Sequence, residues 1–240
     1  MRLPHPTRDG LSRQEFTEAY PAVGSREAVH PIERGRTMRR LIVSTFLTLD
    51  GVMQAPGGPE EDDSGGFAHG GWSVNYWDEL MGQVMAEAVS TPFAMVLGRR
   101  TYDIMAAHWP HASEEDGAKP FNDATKYVAS RSHPRLAWSN SVLIEGDAAE
   151  GLAALKQEDG PELQVHGSGN LIQTLLRHDL VDQYRLWVFP LVLGSGQRLF
   201  SDGTIPAGLK LVGSKVSSTG VVIGTYEPAG EIVTGSFALG

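Results

Sequence analysis

From Arg40 onward the chain alternates between two hydrophobic rhythms. The run LIVSTFLT at 41–48 is apolar and β-branched, of strand length, and stops at Asp50-Gly51, the pattern of a buried strand. Residues 54–71 are rich in Gly, Pro and acids and predict a long mobile loop. Loops of that length inside a compact domain are more often functional than idle. Trp77, Leu80, Met81, Val84, Met85 and Ala88 then recur at helical spacing and predict a helix over 76–88. Further strands are expected at 93–97, 127–129, 142–145, 163–166 and 184–189, with helices at 99–107, 148–156 and 170–178 between them. Such alternation demands crossover connections, hence a largely parallel sheet covered on both faces. The last two runs, 209–218 and 221–226, flank Thr219-Gly220 and read as a hairpin. The expected fold class is α/β, with a mixed, mostly parallel sheet and antiparallel C-terminal strands.

Residues 1–37 lack this periodicity, and prolines at 4, 6, 21 and 31 interrupt them. Ser12 and Glu15 could cap a short helix over 12–20. This segment reads as a flexible extension with Met38 as an alternative start, followed by a domain over 38–228 and a tail over 229–240.

Composition narrows the chemistry. A net charge of −9 disfavours wrapping nucleic acid or lying on an anionic membrane. A phosphorylated ligand must therefore be held by local arginines and backbone amides. The absence of cysteine excludes disulfides, thiolate zinc sites and cysteine nucleophiles. No apolar run approaches the roughly 20 residues that span a bilayer, and 1–37 contains no signal-type apolar stretch, so the expected location is cytoplasmic.

Two strand-to-helix junctions carry candidate chemistry. At Gly98-Arg99-Arg100-Thr101 a strand ends, a glycine turns, and a helix opens with guanidinium and hydroxyl groups. Helix N-termini offer unpaired N–H groups and partial positive charge, and arginine recognises phosphate oxygens in a bidentate manner. At Gly167-Ser168-Gly169-Asn170-Leu171 a second glycine loop opens a second helix, ready for a pyrophosphate. A Rossmann fingerprint is ruled out, because the third glycine and the acidic residue closing the following strand are missing. A Walker loop is excluded for want of Gly-Lys-Ser/Thr. Ser130-Arg131 ends the intervening strand. Since parallel strands present their C-terminal ends on one edge, this pair can join Arg99 around one phosphate.

Together these motifs resemble the cofactor motifs of the dihydrofolate reductase superfamily. The closer resemblance is to the C-terminal reductase domain of bacterial riboflavin-biosynthesis enzymes and its stand-alone relatives. It is carried also by Ser44-x-x-x-Thr48-Leu49-Asp50-Gly51, Trp109-Pro110, Asp179-Leu180-Val181-Asp182 and the run Pro190 to Gly196 with Leu199-Phe200. The resemblance spans about residues 38–228 and implies a dihydrofolate-reductase-like three-layer fold and NADPH as cofactor. It places the adenosine 2′-phosphate on Arg99, Ser130 and Arg131 and the pyrophosphate on the Gly167–Gly169 loop. The implied reaction is hydride transfer to a small heterocycle or aminopyrimidine. The alternatives are folate or pterin reduction and non-catalytic dinucleotide binding. The Leu-Pro-Trp motif of true dihydrofolate reductases, with its acid, is absent, as is any cysteine for the zinc deaminase that often accompanies the riboflavin domain. Asp78, at the start of the helix after the loop, and Asp50 are the candidate proton donors. Trp72, Trp77 and Trp109 are candidate pocket liners, and Gly194-Ser195-Gly196 a candidate rim of the substrate mouth. His108 and His111 lack carboxylate partners at a metal-binding spacing, so no metal is expected. The expected partners are a small-molecule substrate and, because the last strands are apolar and sheet edges must be covered, a second copy of the chain in a homodimer.

Overall fold

The computed structural model describes residues 38–201 and 204–237; the expected helix at 12–20 lies outside them. The described residues belong to one compact unit. Its strands are β1 (Leu41–Thr48), β2 (Phe93–Gly98), β3 (Thr125–Ala129), β4 (Ser141–Ile144), β5 (Glu162–Val165), β6 (Gln183–Phe189), β7 (Leu209–Val216) and β8 (Val222–Pro228). The helices are α1 (Glu79–Ala88), α2 (Arg99–His108), α3 (Ala118–Asp123), α4 (Ala148–Lys156) and α5 (Gly169–Arg177). One eight-stranded sheet runs in the order β4-β3-β2-β5-β1-β6-β8-β7. Strands β1 to β6 are parallel neighbours, and β8 and β7 close the sheet antiparallel.

Alternation along the strands sorts the side chains into two faces. Leu41, Val43, Ala94, Val96, Leu163 and Val165 pack under Leu152 of α4 and Leu171, Ile172 and Leu175 of α5. On the opposite face Phe46, Trp187 and Phe189 meet Met81 of α1. There too, Met95, Leu97 and Val128 meet Tyr102 of α2 and Phe121 of α3. The result is the three-layer dihydrofolate-reductase-like arrangement. β2 is buried at every position, as a central parallel strand must be, so its sequence FAMVLG has no polar alternation.

The structure differs from the sequence pattern at three places. The helix expected over 76–88 starts only at Glu79, because Asp78 is extended and caps it, and Val74–Tyr76 forms a separate 3-10 turn. Helix α3 has six residues with Pro120 in its first turn, too short to show periodicity. The segment 54–71 is folded on itself. The buried Gln54 amide donates to Asp62 and Ser64, Glu61 Oε2 accepts from the Gly57 and Gly58 amides, and Trp72 Nε1 donates to Gln54 O at 2.7 Å.

Candidate functional site

The direction of the crossovers reverses between β2 and β5. β2 feeds α2 on one face of the sheet, whereas β5 feeds α5 on the other. In open α/β sheets such a reversal leaves a crevice beyond the carboxyl ends of the two strands, where ligands bind. Both glycine junctions lie there, and they touch. Thr101 Oγ1 and Ser168 Oγ are 2.6 Å apart. A Cβ at Gly98 would collide with the Ser168 side chain, and one at Gly167 would come within 3.3 Å of Thr101. These glycines therefore allow the two junctions to interlock. The residue with positive φ is neither glycine but Ser168, at 74°. A non-glycine residue held there costs about 1–3 kcal/mol, sustained only by surrounding structure. Gly169 differs: its Cβ would meet only Gln197 and Met53 side-chain ends at 3.8 Å.

Capping separates the helices at this crevice from the others. Among the four longer helices of the described residues, α1 and α4 are capped by Asp78 and Asp147, which accept amide hydrogen bonds in their first turns. α2 and α5 begin at Gly98 and Ser168 with no side-chain cap, the Ser168 hydroxyl being turned toward Thr101. Two helix N-termini thus bring free amides and partial positive charge to one crevice. Arg99 adds to it. Its Nε donates to Asp103 at 2.7 Å, but its buried Nη1 has no hydrogen-bond partner among the described residues. An orphaned guanidinium nitrogen is costly unless a ligand completes it. Gly98 pairs with Ala129 across β2 and β3, so Ser130 and Arg131 follow at the adjacent strand end. Ser130 accepts from Ser132 N at 3.2 Å, and Arg131 is exposed. The donor set suits a phosphorylated dinucleotide: free amides at the interlocked loops and guanidinium groups beside them. Arg100 pairs with Asp62 at 2.6 Å and ties the 54–71 segment to the start of α2.

The two candidate acids act as anchors. Asp78 Oδ1 accepts from Met81 N, while Oδ2 accepts from Ser218 N and Oγ at 2.7 Å; these bonds lower its pKa. Asp50 accepts from Thr48 Oγ1, Leu193 N and Gly194 N, pairs with Arg198 at 3.4 Å, and is lowered to about 2, chiefly by the Thr48 hydroxyl. Hydrogen bonds to a carboxylate favour its ionised form. Both residues named as candidate proton donors are thus engaged as hydrogen-bond acceptors.

Of the tryptophans, Trp72 is buried edge-on against Phe189, and Trp109 stacks on Phe121 at 4.2 Å. Trp77 is 45 % exposed and lies parallel to Trp187. Ser195, Gly196 and Gln197 line a cavity of about 310 Å³ with Gln54 and residues 64–67. The Gln54 and Gln197 lining was not singled out from the sequence. A glutamine inside a glycine-rich loop looks solvated until its burial is known.

The sheet order, the reversal at β2 and β5, and the interlocked glycine junctions define a domain of the dihydrofolate-reductase-like class. The chain belongs to the RibD C-terminal domain family, whose pattern matches residues 39–223. That places it with reductases of the RibD and dihydrofolate reductase type. It is 28% identical over 188 residues to the uncharacterised Bacillus subtilis protein YyaP, covering 77% of this chain and 92% of the relative. It is 27% identical over 180 residues to the uncharacterised YwjB of the same organism, covering 74% and 91%. Its fold matches that of a Shewanella sp. PV-4 protein named for riboflavin biosynthesis, with a TM-score of 0.59, 21% identity and coverage of 79% and 98%. A pyrimidine reductase-like protein from Corynebacterium diphtheriae matches with a TM-score of 0.51, 12% identity and coverage of 79% and 92%. Among the described residues no helix is long and apolar enough to cross a membrane.

Proposed function

We propose that this protein is an NADPH-dependent reductase acting on a small heterocycle or open-chain aminopyrimidine, as the riboflavin-type reductases do. The observation that carries the proposal is the meeting of two uncapped helix N-termini at the β2–β5 reversal, beside an orphaned Arg99 Nη1. On this reading the α5 amides and the Thr101–Ser168 pair cradle the pyrophosphate. Arg99, Ser130 and Arg131 hold the 2′-phosphate, and Gly98, Gly167 and Gly169 keep side chains out of the way. Asn170 and Leu171 supply further first-turn amides, and Arg100 holds the 54–71 segment to the start of α2 through Asp62. NADPH, when bound, supplies hydride; the protein orients the acceptor and limits water access. With Asp50 and Asp78 both ionised, the proton comes from solvent at the crevice mouth.

The anchored aspartates also favour a second reading, a dinucleotide-binding protein without turnover. Loss of NADPH absorbance on adding aminopyrimidine, pterin or dihydrofolate substrates supports the reductase. Tight NADPH binding with no oxidation on any of them supports the binding protein. A homodimer completes the proposal. β7 is an outer edge, and Leu209, Leu211, Val212 and Val216 on it are exposed beside Val222 of β8. An open apolar edge of this kind calls for a covering partner, and a second copy presents the same edge.

A further inference from the structure

On the face carrying α1, α2 and α3, the side chains at the carboxyl end of β5 and at the neighbouring positions of β1 and β6 are polar. Val43 and Val165 are paired and point into the opposite core, so Ser44 and His166, one residue further on, point to this side. Ser44 is level with Arg185 of β6. Neither the Ser44 hydroxyl nor His166 Nδ1 has a hydrogen-bond partner among the described residues.

We infer that His166 is a specificity-determining residue whose Nδ1 accepts a hydrogen bond from an N–H or O–H on the ring edge of the bound substrate. The inference rests on the proposed reductase function. It follows from a chain of side chains that fixes the imidazole. Arg185 pairs with Glu162 at 3.3 Å. Gln164 Nε2 donates to Glu162 Oε1 at 2.7 Å and to Ala88 O, at the end of α1, at 3.0 Å. With its amide nitrogen so engaged, Gln164 presents Oε1 to His166 Nε2 at 3.1 Å. An oxygen there requires the Nε2–H tautomer, which leaves Nδ1 with a lone pair. Burial and the Arg185 charge push the ring's pKa down to about 4, so the imidazole is neutral and an acceptor near neutrality. The groups facing it are Arg185, Glu162 and Gln164 from the sheet and the edge-on ring of Phe121 from α3. His166 immediately precedes Gly167, which sets its ring next to the cofactor loop. A substrate that covers Nδ1 and hands it a donor satisfies that acceptor. One without a donor leaves it buried and unpaired, and sites built this way discriminate strongly.

The test uses full-length protein labelled with nitrogen-15 and loaded with NADPH, with lumazine as the probe and its N,N-dimethyl derivative, which has no ring N–H, as control. His166→Phe identifies the His166 resonances by their loss. Lumazine is expected to move the wild-type Nδ1 resonance toward the hydrogen-bonded position while Nε2 keeps its proton; the dimethyl derivative is expected to leave it in place. His166→Phe should weaken lumazine about tenfold or more, the equivalent of one buried hydrogen bond. His166→Asn, which retains an acceptor near the Nδ1 position, should recover most of that loss. NADPH affinity should stay within about twofold throughout. An Nδ1 resonance indifferent to lumazine in wild type, or unchanged lumazine affinity in a His166→Phe protein that still binds NADPH, overturns the inference and leaves the proposed function standing. Failure of the wild type to bind NADPH overturns both.

Discussion

Gly169→Val separates cofactor binding from folding. Gly169 opens α5 without positive φ, and the atoms nearest its Cβ position are the Gln197 side-chain oxygen and the Met53 sulfur, both at 3.8 Å. Both are flexible side-chain ends that can yield to a branched residue. Valine in the first helical turn costs only a fraction of a kcal/mol in propensity, so stability should change by less than about 1 kcal/mol. The branch would, however, stand over the free amides of α5. If two charge-assisted amide contacts to the pyrophosphate are lost at about 1.5–3 kcal/mol each, NADPH affinity should fall at least about a hundredfold. Gly98→Ala should behave in the opposite way, lowering the melting temperature because its Cβ collides with Ser168. Fluorescence titration with NADPH and thermal melts of both variants decide the matter. Unchanged NADPH affinity in a folded Gly169→Val protein would refute the placement of the pyrophosphate at α5, and a collapsed melting temperature would refute the packing argument.

Asp78→Ala should lower the melting temperature by uncapping α1 and releasing Ser218, while the pH–rate profile keeps its shape; a lost limb would restore Asp78 as the proton donor. Lys126 is buried, donates to Asn122 O and Ser139 O, and has its pKa pushed down by burial to about 8. Between pH of about 8 and 10.5 the unfolded chain binds the additional proton, so stability from this residue should rise with pH. Lys126→Met should remove that rise, as chemical denaturation across the range would show. Leu211→Glu on β7 should convert the proposed dimer to monomers in light scattering; an unchanged mass would remove this edge from the interface. Deleting residues 1–37 should leave the melting temperature and NADPH affinity unchanged, and a fall in either would make that segment structural.

Much of the fold was legible because strand and helix rhythms are strong where burial is complete. LIVSTFLT and FAMVLG could be little other than core strands, and helical spacing located α1, α4 and α5. The boundaries of α1 were less visible, since an aspartate at its start reads equally as first-turn residue or cap. The cofactor junctions were legible as glycine-containing strand ends, but their interlock was not. That Gly98 is required by Ser168, and that Ser168 rather than a glycine adopts the left-handed conformation, depends on two segments distant in sequence meeting at the sheet reversal. Asp50 illustrates the harder problem. Its neighbours in sequence explain the Thr48 contact, whereas the Leu193 and Gly194 amides that keep it ionised are supplied by a remote loop. His166 was hidden for the same reason, as its tautomer is set by Gln164 and, through it, by Glu162 and the end of α1.

The central claim is that the β2–β5 crevice holds a dinucleotide carrying a 2′-phosphate. The most direct test is a pair of titrations, NADPH and NADH, on wild type, Arg99→Ala and Arg131→Ala at two salt concentrations. Each guanidinium contact to the phosphate contributes about 1.5–3 kcal/mol, or roughly ten- to a hundredfold in affinity. Wild type should therefore prefer NADPH, and raised salt should weaken NADPH more than NADH. Arg99→Ala, which removes the orphaned Nη1, should erode the preference while hardly touching NADH, and Arg131→Ala should do so to a smaller degree because its side chain is more exposed. Equal wild-type affinity for the two cofactors would contradict the account, and so would an Arg99→Ala protein that loses both in parallel.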